Sequence, residues 1–477
     1  MNFRMIKNIL GWILIFEAAF LLIPLLTAII YKEEVFYAYL ISIGICLLFG
    51  ALLIWQKPKS KTLYSREGFI IVSLSWIVLS LFGALPLFIS KETPSYIDAL
   101  FEIVSGLTTT GSSIIPKVEE LSHASLIWRS FTNWIGGMGV LVFVMAFIPL
   151  SGGNNMHIMK AESPGPSVSK LVPRVKTTAL ILYLIYIALT IVEFILLIFG
   201  DMNVFEALCS SFSTAGTGGF GVKNDSFNSF SSYSQIVVTV FMFLFSINFA
   251  SYYLLLLKNF KEAFTTEVRI FIGIVISSIV LLCFNTFSLF PSVGDCIKHV
   301  SFTVVSIIST TGFATVDFNL WPSFSRAFLL LLMIIGACAG STGGGLKVSR
   351  LVILFKSILK ELGLMIHPKQ IKKITVDKQP IESDVVRSTN IYFAIYCSIF
   401  AVSTLLLCIN DHDLVTSFSA VASTLNNIGP GLEKVGPTQN FAFFAPWEKL
   451  LLSFNMLAGR LELFPMLLLF SPVTWKK

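Results

Sequence analysis

Four glycine motifs rich in threonine and serine recur along the chain, and backbone carbonyls in such turns could bind a dehydrated cation. The motifs are TTTGSS (108–113), STAGTGGF (213–220), STTGFA (309–314) and NNIGPG (426–431). Glycine permits unusual backbone dihedrals and close approach of another chain segment. Rings of carbonyl oxygens in ion-conducting proteins replace the hydration shell of a monovalent cation. The chemistry that these motifs indicate is therefore ion coordination by the backbone.

The motifs occupy matched positions in what we interpret as a fourfold repeat of helix, half-helix, glycine loop and helix. Aligned on Gly111, Gly218, Gly312 and Gly429, they lie 107, 94 and 117 residues apart. A single motif would more simply be a Gly/Thr turn between helices, whereas four in register favour one shared site. Non-helical backbone at membrane depth must be buried in protein or line a wet cavity. Four loops that meet on one axis would satisfy that requirement together.

A short, semi-polar stretch of 11 to 14 residues precedes each motif: 96–107, 203–213, 295–308 and 413–425. At about 1.5 Å per residue such a stretch cannot span a bilayer, so it suits a re-entrant half-helix. The C-terminal end of a helix carries partial negative charge. Four half-helices that aim these ends at the centre would favour a cation there.

The composition predicts a membrane protein that supplies the surrounding elements. Hydrophobic residues make up 55% of the chain and charged residues 13%, and the mean hydropathy is +0.81. An apolar segment of about 20 residues crosses the hydrocarbon layer as a helix. Ten segments are predicted to span: 9–30, 36–56, 68–90, 126–150, 177–200, 235–257, 268–290, 326–351, 389–410 and 446–470.

The distribution of lysine and arginine predicts that both termini are cytoplasmic. With that topology, 24 of the 34 basic residues lie on the inner side, nine lie outside, and Arg460 lies within the membrane. This is the bias of the positive-inside rule. The net charge of +7 follows from it, and the dispersed basic residues give no nucleic-acid surface. Seven cysteines and five histidines form no ligand or catalytic spacing, so the sequence predicts no enzyme activity, metal site or cofactor.

A run of small residues interrupts the predicted segment 326–351. IIGACAGSTGGGLKVSR (334–350) contains five glycines, and so many cannot remain a stiff helix. A phosphate-binding loop is disfavoured because Leu346 precedes Lys347 and no strand comes before the motif. Close packing of small residues between helices is the second alternative. We favour a mobile intramembrane loop beneath the glycine motifs, which would act as a gate: Gly340, Ser341, Thr342, Gly343, Gly344 and Gly345.

An arginine lies within the last apolar segment, in MLAGRLELFPMLLLF (456–470). A central arginine costs about 3 kcal/mol or more in lipid, so Arg460 should face protein or a water-filled cavity. We expect it to project into an ion pathway near the glycine-rich loop, where its charge would oppose cations. A structural pair is the alternative, but residues at i and i+2, such as Arg460 and Glu462, do not share a helix face.

With these motifs the chain resembles the TrkH, KtrB and HKT superfamily of potassium transporters. WRSFTNWIGGMGV (128–140) and MKAESPGPSVSKLVPRV (159–175) resemble the TrkH branch specifically. The resemblance implies that the loop glycines and the residues before them form a potassium selectivity filter: Thr109, Thr110, Gly111, Gly216, Thr217, Gly218, Thr310, Thr311, Gly312, Asn427, Ile428 and Gly429. A serine in place of the first glycine is associated with sodium transport in the plant branch, so Gly111 implies potassium preference.

The resemblance also implies the architecture and the partners. The expected fold is an all-α integral membrane protein with four pseudo-symmetric helix–pore loop–helix repeats around a central ion pore and two extra N-terminal helices. We divide the chain into those helices, repeat one, repeat two, repeat three with its broken second helix, a cytoplasmic linker, and repeat four: 1–60, 61–160, 161–262, 263–360, 361–387 and 388–477. The implied setting is the cytoplasmic (inner) membrane of a bacterium.

The implied state is a homodimer in the lipid bilayer, regulated by a separate cytosolic nucleotide-binding subunit of the TrkA type. The implied function is potassium uptake through the filter, gated by the glycine-rich loop and Arg460. A solute-coupled secondary transporter with interrupted helices is the alternative, because such transporters also break their helices at membrane depth.

Overall fold

The computed structural model describes residues 1–55, 65–139, 175–369, 373–377 and 379–475. In these ranges the regular secondary structure is helical apart from one two-stranded antiparallel hairpin. The hairpin pairs β1 (Thr375–Val376) with β2 (Gln379–Pro380). It lies within the linker that the sequence predicts to be cytoplasmic.

The helices are numbered in chain order. The first seven are α1 (Phe3–Phe20), α2 (Leu22–Tyr31), α3 (Phe36–Ile54), α4 (Ser65–Gly83), α5 (Leu85–Ile89), α6 (Tyr96–Leu107) and α7 (His123–Gly137). The next seven are α8 (Val175–Ile198), α9 (Val204–Gly216), α10 (Ser232–Phe245), α11 (Phe249–Leu256), α12 (Phe260–Ala263), α13 (Thr266–Thr286) and α14 (Val293–Ile308). The last are α15 (Ser323–Ile335), α16 (Val348–Ile366), α17 (Ser383–Leu407), α18 (Leu414–Leu425), α19 (Pro446–Arg460), α20 (Phe464–Phe470) and α21 (Pro472–Trp475).

Six helical segments of the described chain are long and apolar enough to cross a membrane, and each overlaps a predicted span. They are Phe3–Tyr31, Phe36–Ile54, Arg66–Ile89, Leu180–Ile198, Thr266–Leu289 and Ser383–Asn410. One bent pair, α10 with α11, would add a seventh. The protein is therefore a multi-pass helical membrane protein.

The predicted spans 235–257 and 446–470 are each interrupted and are not single straight helices. The first is bent by 91° between α10 and α11, where the Asn248 side chain accepts a hydrogen bond from the Ala250 N–H at 2.9 Å and starts a new helix. The second breaks between α19 and α20, where Glu462 and Leu463 have φ of 62° and 61°. Pro465 in the first turn of α20 cannot donate a backbone hydrogen bond, so it does not continue α19.

The break predicted in 326–351 is present, between α15 and α16. The remaining predicted span, 126–150, is helical as α7 up to Gly137, and its residues from 140 onward lie outside the described ranges.

Short helices lie at all four predicted half-helix positions, as α6, α9, α14 and α18. Each is preceded by a residue whose side chain accepts a hydrogen bond from the backbone N–H three residues later. These caps are Ser95, Asn203, Ser292 and Asp413. Such a cap stabilises a helix start by about 1 kcal/mol. A polar cap at the same place in all four explains why helices of 12 to 16 residues begin where they do.

Candidate functional site

Each half-helix ends in the same backbone conformation. The residue after its last turn is left-handed, with φ of 55° at Thr109, 53° at Thr217, 61° at Thr310 and 56° at Asn427. Two residues further on a glycine is again at positive φ: Gly111 at 81°, Gly219 at 73°, Gly312 at 84° and Gly429 at 107°. A β-branched threonine seldom adopts a positive φ, so the surrounding protein must hold this conformation in place.

One backbone hydrogen bond recurs at each of these helix ends. In each case a backbone N–H donates to the carbonyl of the serine five residues earlier. The pairs are Thr110 to Ser105 at 2.8 Å, Gly218 to Ser213 at 2.9 Å, Thr311 to Ser306 at 2.9 Å and Ile428 to Ser423 at 2.9 Å. This is the hydrogen bond of a Schellman motif, which closes a helix with a left-handed residue. The four loops therefore share one local structure.

The shared backbone corrects the alignment of the second loop by one residue. The sequence alignment paired Gly218 with Gly111, but the dihedral angles and hydrogen bonds pair Gly219 with Gly111 and Gly218 with Thr110. STAGTGGF contains three glycines, so the residue types alone did not fix the register. Gly216, one of the expected filter residues, is the last residue of α9 and precedes the left-handed position.

The four loops contact one another in cyclic order. A Cβ atom built on Gly111 would lie 2.1 Å from the carbonyl oxygen of Gly218, and one on Gly219 would lie 2.0 Å from that of Thr311. A Cβ on Gly312 would lie 1.9 Å from the Ile428 carbonyl oxygen, and one on Gly429 would lie 2.8 Å from the Thr110 carbonyl oxygen. The fourth loop thus returns to the first. Each glycine leaves room for the carbonyl of the neighbouring loop.

Side chains behind the loops hold them to one another. Ser112 donates its hydroxyl hydrogen to the Gly429 carbonyl at 2.9 Å. The Asn427 side-chain amide donates to the Thr110 hydroxyl at 3.0 Å and to the Met456 carbonyl at 2.9 Å. The Ser112 and Thr110 bonds join the first loop to the fourth, and the Met456 bond attaches the fourth loop to α19.

A cavity that is open to solvent borders the four loops. The four loop glycines line it, together with polar residues that include Ser112, Asn224 and Gln439: Gly111, Gly219, Gly312 and Gly429. Water or a hydrated ion can therefore reach the loop backbone from this side.

The glycine-rich loop between α15 and α16 packs against the ends of two half-helices. A Cβ built on Gly343 would lie 2.7 Å from the Ser309 carbonyl oxygen, and one on Gly344 would lie 2.3 Å from that of Asn426. The Gly344 N–H also donates to the Thr310 hydroxyl at 2.6 Å. The predicted gate residues are thus in direct contact with the third and fourth loops.

Other bonds attach this loop to the break between α10 and α11. The Gly340 carbonyl accepts from the Phe249 N–H at 3.0 Å, and the Thr342 hydroxyl donates to the Phe245 carbonyl at 3.1 Å. The Ser341 hydroxyl donates to the Cys338 carbonyl at 2.6 Å, within the loop. Gly345, with φ of 79°, lies against Gly336 at the other end of the loop.

Arg460 is half-buried and donates to the backbone of two different elements. Its guanidinium group donates to the Thr342 carbonyl of the glycine-rich loop at 2.7 Å, and to the Gly137 carbonyl at the end of α7 at 2.8 Å. It also donates to the Gly136 carbonyl. The expected position of Arg460 beside the glycine-rich loop is therefore observed.

The structure adds charged groups that the sequence analysis missed. Arg350 on α16 forms an ion pair with Glu462, and its guanidinium lies 3.9 Å from the centre of the Tyr392 ring. The Lys347 ammonium donates to the Gly343 carbonyl. The Glu267 carboxylate accepts from the Ala339 N–H at 2.7 Å and from the Ser349 N–H at 3.0 Å. These contacts hold both ends of the glycine-rich loop.

Replacing Arg350 with glutamine should destabilise the protein by about 3 kcal/mol, because Glu462, whose side chain is only 15% exposed, would lose its ion-pair partner. The measurement is thermal unfolding in detergent, and the control is Arg387→Gln. Arg387 and its partner Asp384 have side chains that are 75% and 83% exposed, so that pair should contribute almost nothing. Equal unfolding temperatures for the two variants would show that the buried pair is not a structural bond.

Comparisons with known proteins agree with this architecture. A family model described as "TrkH: Cation transport protein" matches residues 37–477. The chain is 38% identical to "Trk system potassium uptake protein TrkH" of Escherichia coli (strain K12), over 100% of both chains. It is 29% identical to "Trk system potassium uptake protein TrkI" of Halomonas elongata, over 99% of this chain and 97% of that one.

The fold also matches a solved structure over the whole chain. The crystal structure of the potassium transporter TrkH from Vibrio parahaemolyticus superposes with a TM-score of 0.90 at 33% identity, covering 100% of both chains. A full-length match in both sequence and fold is much stronger than a shared motif. The chain belongs to the TrkH family of cation transport proteins, which are transporters and not enzymes.

Proposed function

We propose that the protein takes up potassium across the cytoplasmic membrane through a selectivity filter made of the four glycine loops. The observation that carries the proposal is the cyclic contact between each loop glycine and the carbonyl of the next loop. The relatives that match over the full chain are named as potassium uptake proteins. No cofactor is part of the proposal, since potassium is the transported ion.

The filter would work by replacing the water of a dehydrated ion with backbone oxygens. The residues that supply them, corrected for the register of the second loop, are Thr109, Thr110, Gly111, Thr217, Gly218, Gly219, Thr310, Thr311, Gly312, Asn427, Ile428 and Gly429. The half-helix ends add partial negative charge behind the loops. Gly111, in place of a serine, supports a preference for potassium over sodium.

The gate would be the loop of Gly340, Ser341, Thr342, Gly343, Gly344 and Gly345 together with Arg460. Arg460 joins this loop to the end of α7 through carbonyl groups, and its positive charge opposes a cation at that point. Opening would require the loop to leave the Ser309 and Asn426 carbonyls. This movement would also break the bond between Gly344 and Thr310.

The proposed organisation is the one that the sequence predicts: two N-terminal helices, four repeats and a cytoplasmic linker, with both termini in the cytoplasm of a bacterium. The half-helix caps and loop conformations support the division into four repeats. We also propose a homodimer with a cytosolic nucleotide-binding subunit of the TrkA type. The short hairpin and helix ends described in the linker offer no nucleotide-binding domain of their own.

A solute-coupled secondary transporter is the second candidate, and the interrupted helices favour it. Within the residues that the structure describes, three of the predicted spans are broken, at 246–248, 336–347 and 461–463. Such breaks create binding sites in transporters. A transporter of this class would bind a solute at a broken helix and would not need four matched loops.

The test is flux into liposomes that contain the purified protein. Uptake driven by a potassium gradient should greatly exceed uptake driven by an equal sodium gradient, and it should need no added solute. Equal uptake of the two ions would contradict the proposed filter. Potassium uptake that appeared only in the presence of a co-transported solute would favour the second candidate.

A further inference from the structure

A buried ion pair lies behind the first loop, apart from the loop carbonyls and the glycine-rich loop. Glu102 on α6 and Arg129 on α7 have side chains that are 0% and 2% exposed, and the Arg129 Nε donates to the Glu102 carboxylate at 2.7 Å. Two ions buried together are stable only when their remaining donors and acceptors are also bonded. The other partners of this pair therefore show what it holds in place.

The Glu102 carboxylate holds the backbone of the first loop. It accepts a hydrogen bond from the Ile114 N–H at 2.9 Å and another from the Ser113 hydroxyl at 2.9 Å. All three of its partners donate, which is the set of contacts that a carboxylate accepts. Ser113 and Ile114 are the second and third residues after Gly111. Glu102 thus fixes the chain just beyond the filter glycine.

Arg129 extends this contact to the second loop. Its guanidinium group donates to the Ser113 hydroxyl at 3.3 Å and lies 4.2 Å from the centre of the Phe220 ring. Phe220 directly follows Gly219, the loop glycine in the corrected register. A cation over an aromatic face is attracted to it, and more strongly where water is excluded. Arg129 therefore joins the first loop to the second, its neighbour in the cyclic order.

The first repeat differs from the others in carrying this charge. Glu102 lies three residues before Ser105, the serine whose carbonyl closes the end of α6. The matching positions in the other repeats hold uncharged residues: Ser210, Thr303 and Ala420. The four loops thus share a backbone structure but are not all held by the same side chains.

Serine hydroxyls hold the third and fourth loops. Ser306 donates its hydroxyl hydrogen to the Phe313 carbonyl at 2.6 Å, and Ser423 donates to the Gly429 carbonyl. The matching hydroxyl of the first repeat, on Ser105, is buried and makes no hydrogen bond among the described residues. The ion pair supplies the attachment that this serine does not make.

We propose that Glu102 and Arg129 are positioning residues for the filter, because together they fix the first loop against the second. Ser113, Arg129 and Phe220 also line the cavity that is open to solvent, so the pair lies at the mouth of the proposed pathway. The inference rests on the proposed potassium filter. It adds that selectivity depends on a charged pair that supplies none of the filter oxygens.

The first test replaces Glu102 with glutamine and measures potassium and sodium uptake by liposomes. Glutamine has nearly the same shape but no charge, so its hydrogen bonds to Arg129 and to the loop are weaker. Losing one hydrogen bond to a charged group shifts the population of a conformation by about tenfold or more. The ratio of potassium to sodium uptake should therefore fall by about tenfold in Glu102→Gln.

The matched control is Asp98→Asn, which breaks a second buried ion pair on the same half-helix. The Lys449 ammonium donates to the Asp98 carboxylate at 2.6 Å, and these side chains are 9% and 12% exposed. Asp98 also accepts from the Ser95 hydroxyl at 2.8 Å, in the first turn of α6. Because these partners lie outside the first loop, Asp98→Asn should lower the unfolding temperature and leave selectivity as in the wild type.

The second test separates positioning from stability. Arg129→Met leaves Glu102 buried without its partner, so the unfolding temperature in detergent should fall. Adding Glu102→Met removes the unpaired charge, and the double variant should regain stability relative to Arg129→Met. Its selectivity should stay low, because the side chain at position 102 could no longer accept from Ser113 and Ile114.

The outcomes distinguish this inference from the proposed function. Wild-type selectivity in Glu102→Gln or in the double variant would overturn the inference and leave a structural ion pair only. An equal loss of selectivity in Asp98→Asn would also overturn it, since any damage to α6 would then have the same effect. Equal uptake of potassium and sodium by the wild type would overturn the proposed filter and this inference together.

Discussion

Replacing Gly111 with serine is expected to abolish most of the preference for potassium over sodium. Gly111 has φ of 81°, and a Cβ there would lie 2.1 Å from the Gly218 carbonyl oxygen. A left-handed conformation costs a residue with a side chain about 1–2 kcal/mol, and the neighbouring carbonyl must also move. Since about 1.4 kcal/mol corresponds to a factor of ten, a loss of this size in potassium binding would lower selectivity by about five- to thirtyfold.

The measurement is potassium and sodium uptake by the same liposome preparation. Gly273→Ser is a matched control, because a Cβ at Gly273 on α13 meets nothing within 4 Å. The corrected register gives a further comparison. Gly219→Ser should affect selectivity as strongly as Gly111→Ser, since its Cβ would lie 2.0 Å from the Thr311 oxygen. Unchanged selectivity in both filter variants would remove the glycine loops from the ion pathway.

Replacing Arg460 with alanine is expected to raise basal potassium flux by about tenfold or more while the protein still assembles. The change removes charge-assisted hydrogen bonds to the Thr342 and Gly137 carbonyls, each of which contributes about 1.5–3 kcal/mol. The glycine-rich loop would then be free of one of its attachments. The positive charge that opposes a cation at this point would also be absent.

The measurement is uptake in liposomes, with assembly followed by size-exclusion chromatography. Arg460→Lys keeps the positive charge but lacks the planar set of N–H donors of a guanidinium group. It should therefore raise basal flux less than Arg460→Ala does. Arg387→Ala removes an exposed arginine and should behave as the wild type. A loss of folding in Arg460→Ala, with wild-type flux in the molecules that do assemble, would assign Arg460 a structural role only.

The half-helices could be predicted from the sequence because their signals are local. A polar cap, a stretch too short to span the bilayer and a glycine motif lie within about 20 residues of one another in each repeat. The six unbroken spans are long apolar runs, which are also local signals. The outline of the fold therefore follows from composition and spacing.

The rest depends on contacts between distant parts of the chain. The one-residue error in the second loop arose because Gly216, Gly218 and Gly219 are alternatives in sequence, and only the backbone conformation distinguishes them. The pairing of Arg350 with Glu462 joins residues 112 positions apart. No periodicity in either segment indicates that they meet.

The most direct test of the filter is an experimental density map of the protein prepared with thallium, a monovalent cation that can substitute for potassium and scatters strongly. We expect thallium density between the carbonyl oxygens of Thr110, Gly218, Thr311 and Ile428, with the four loops facing it. Density for the loops without a bound ion between them, in protein that still takes up potassium, would contradict the account.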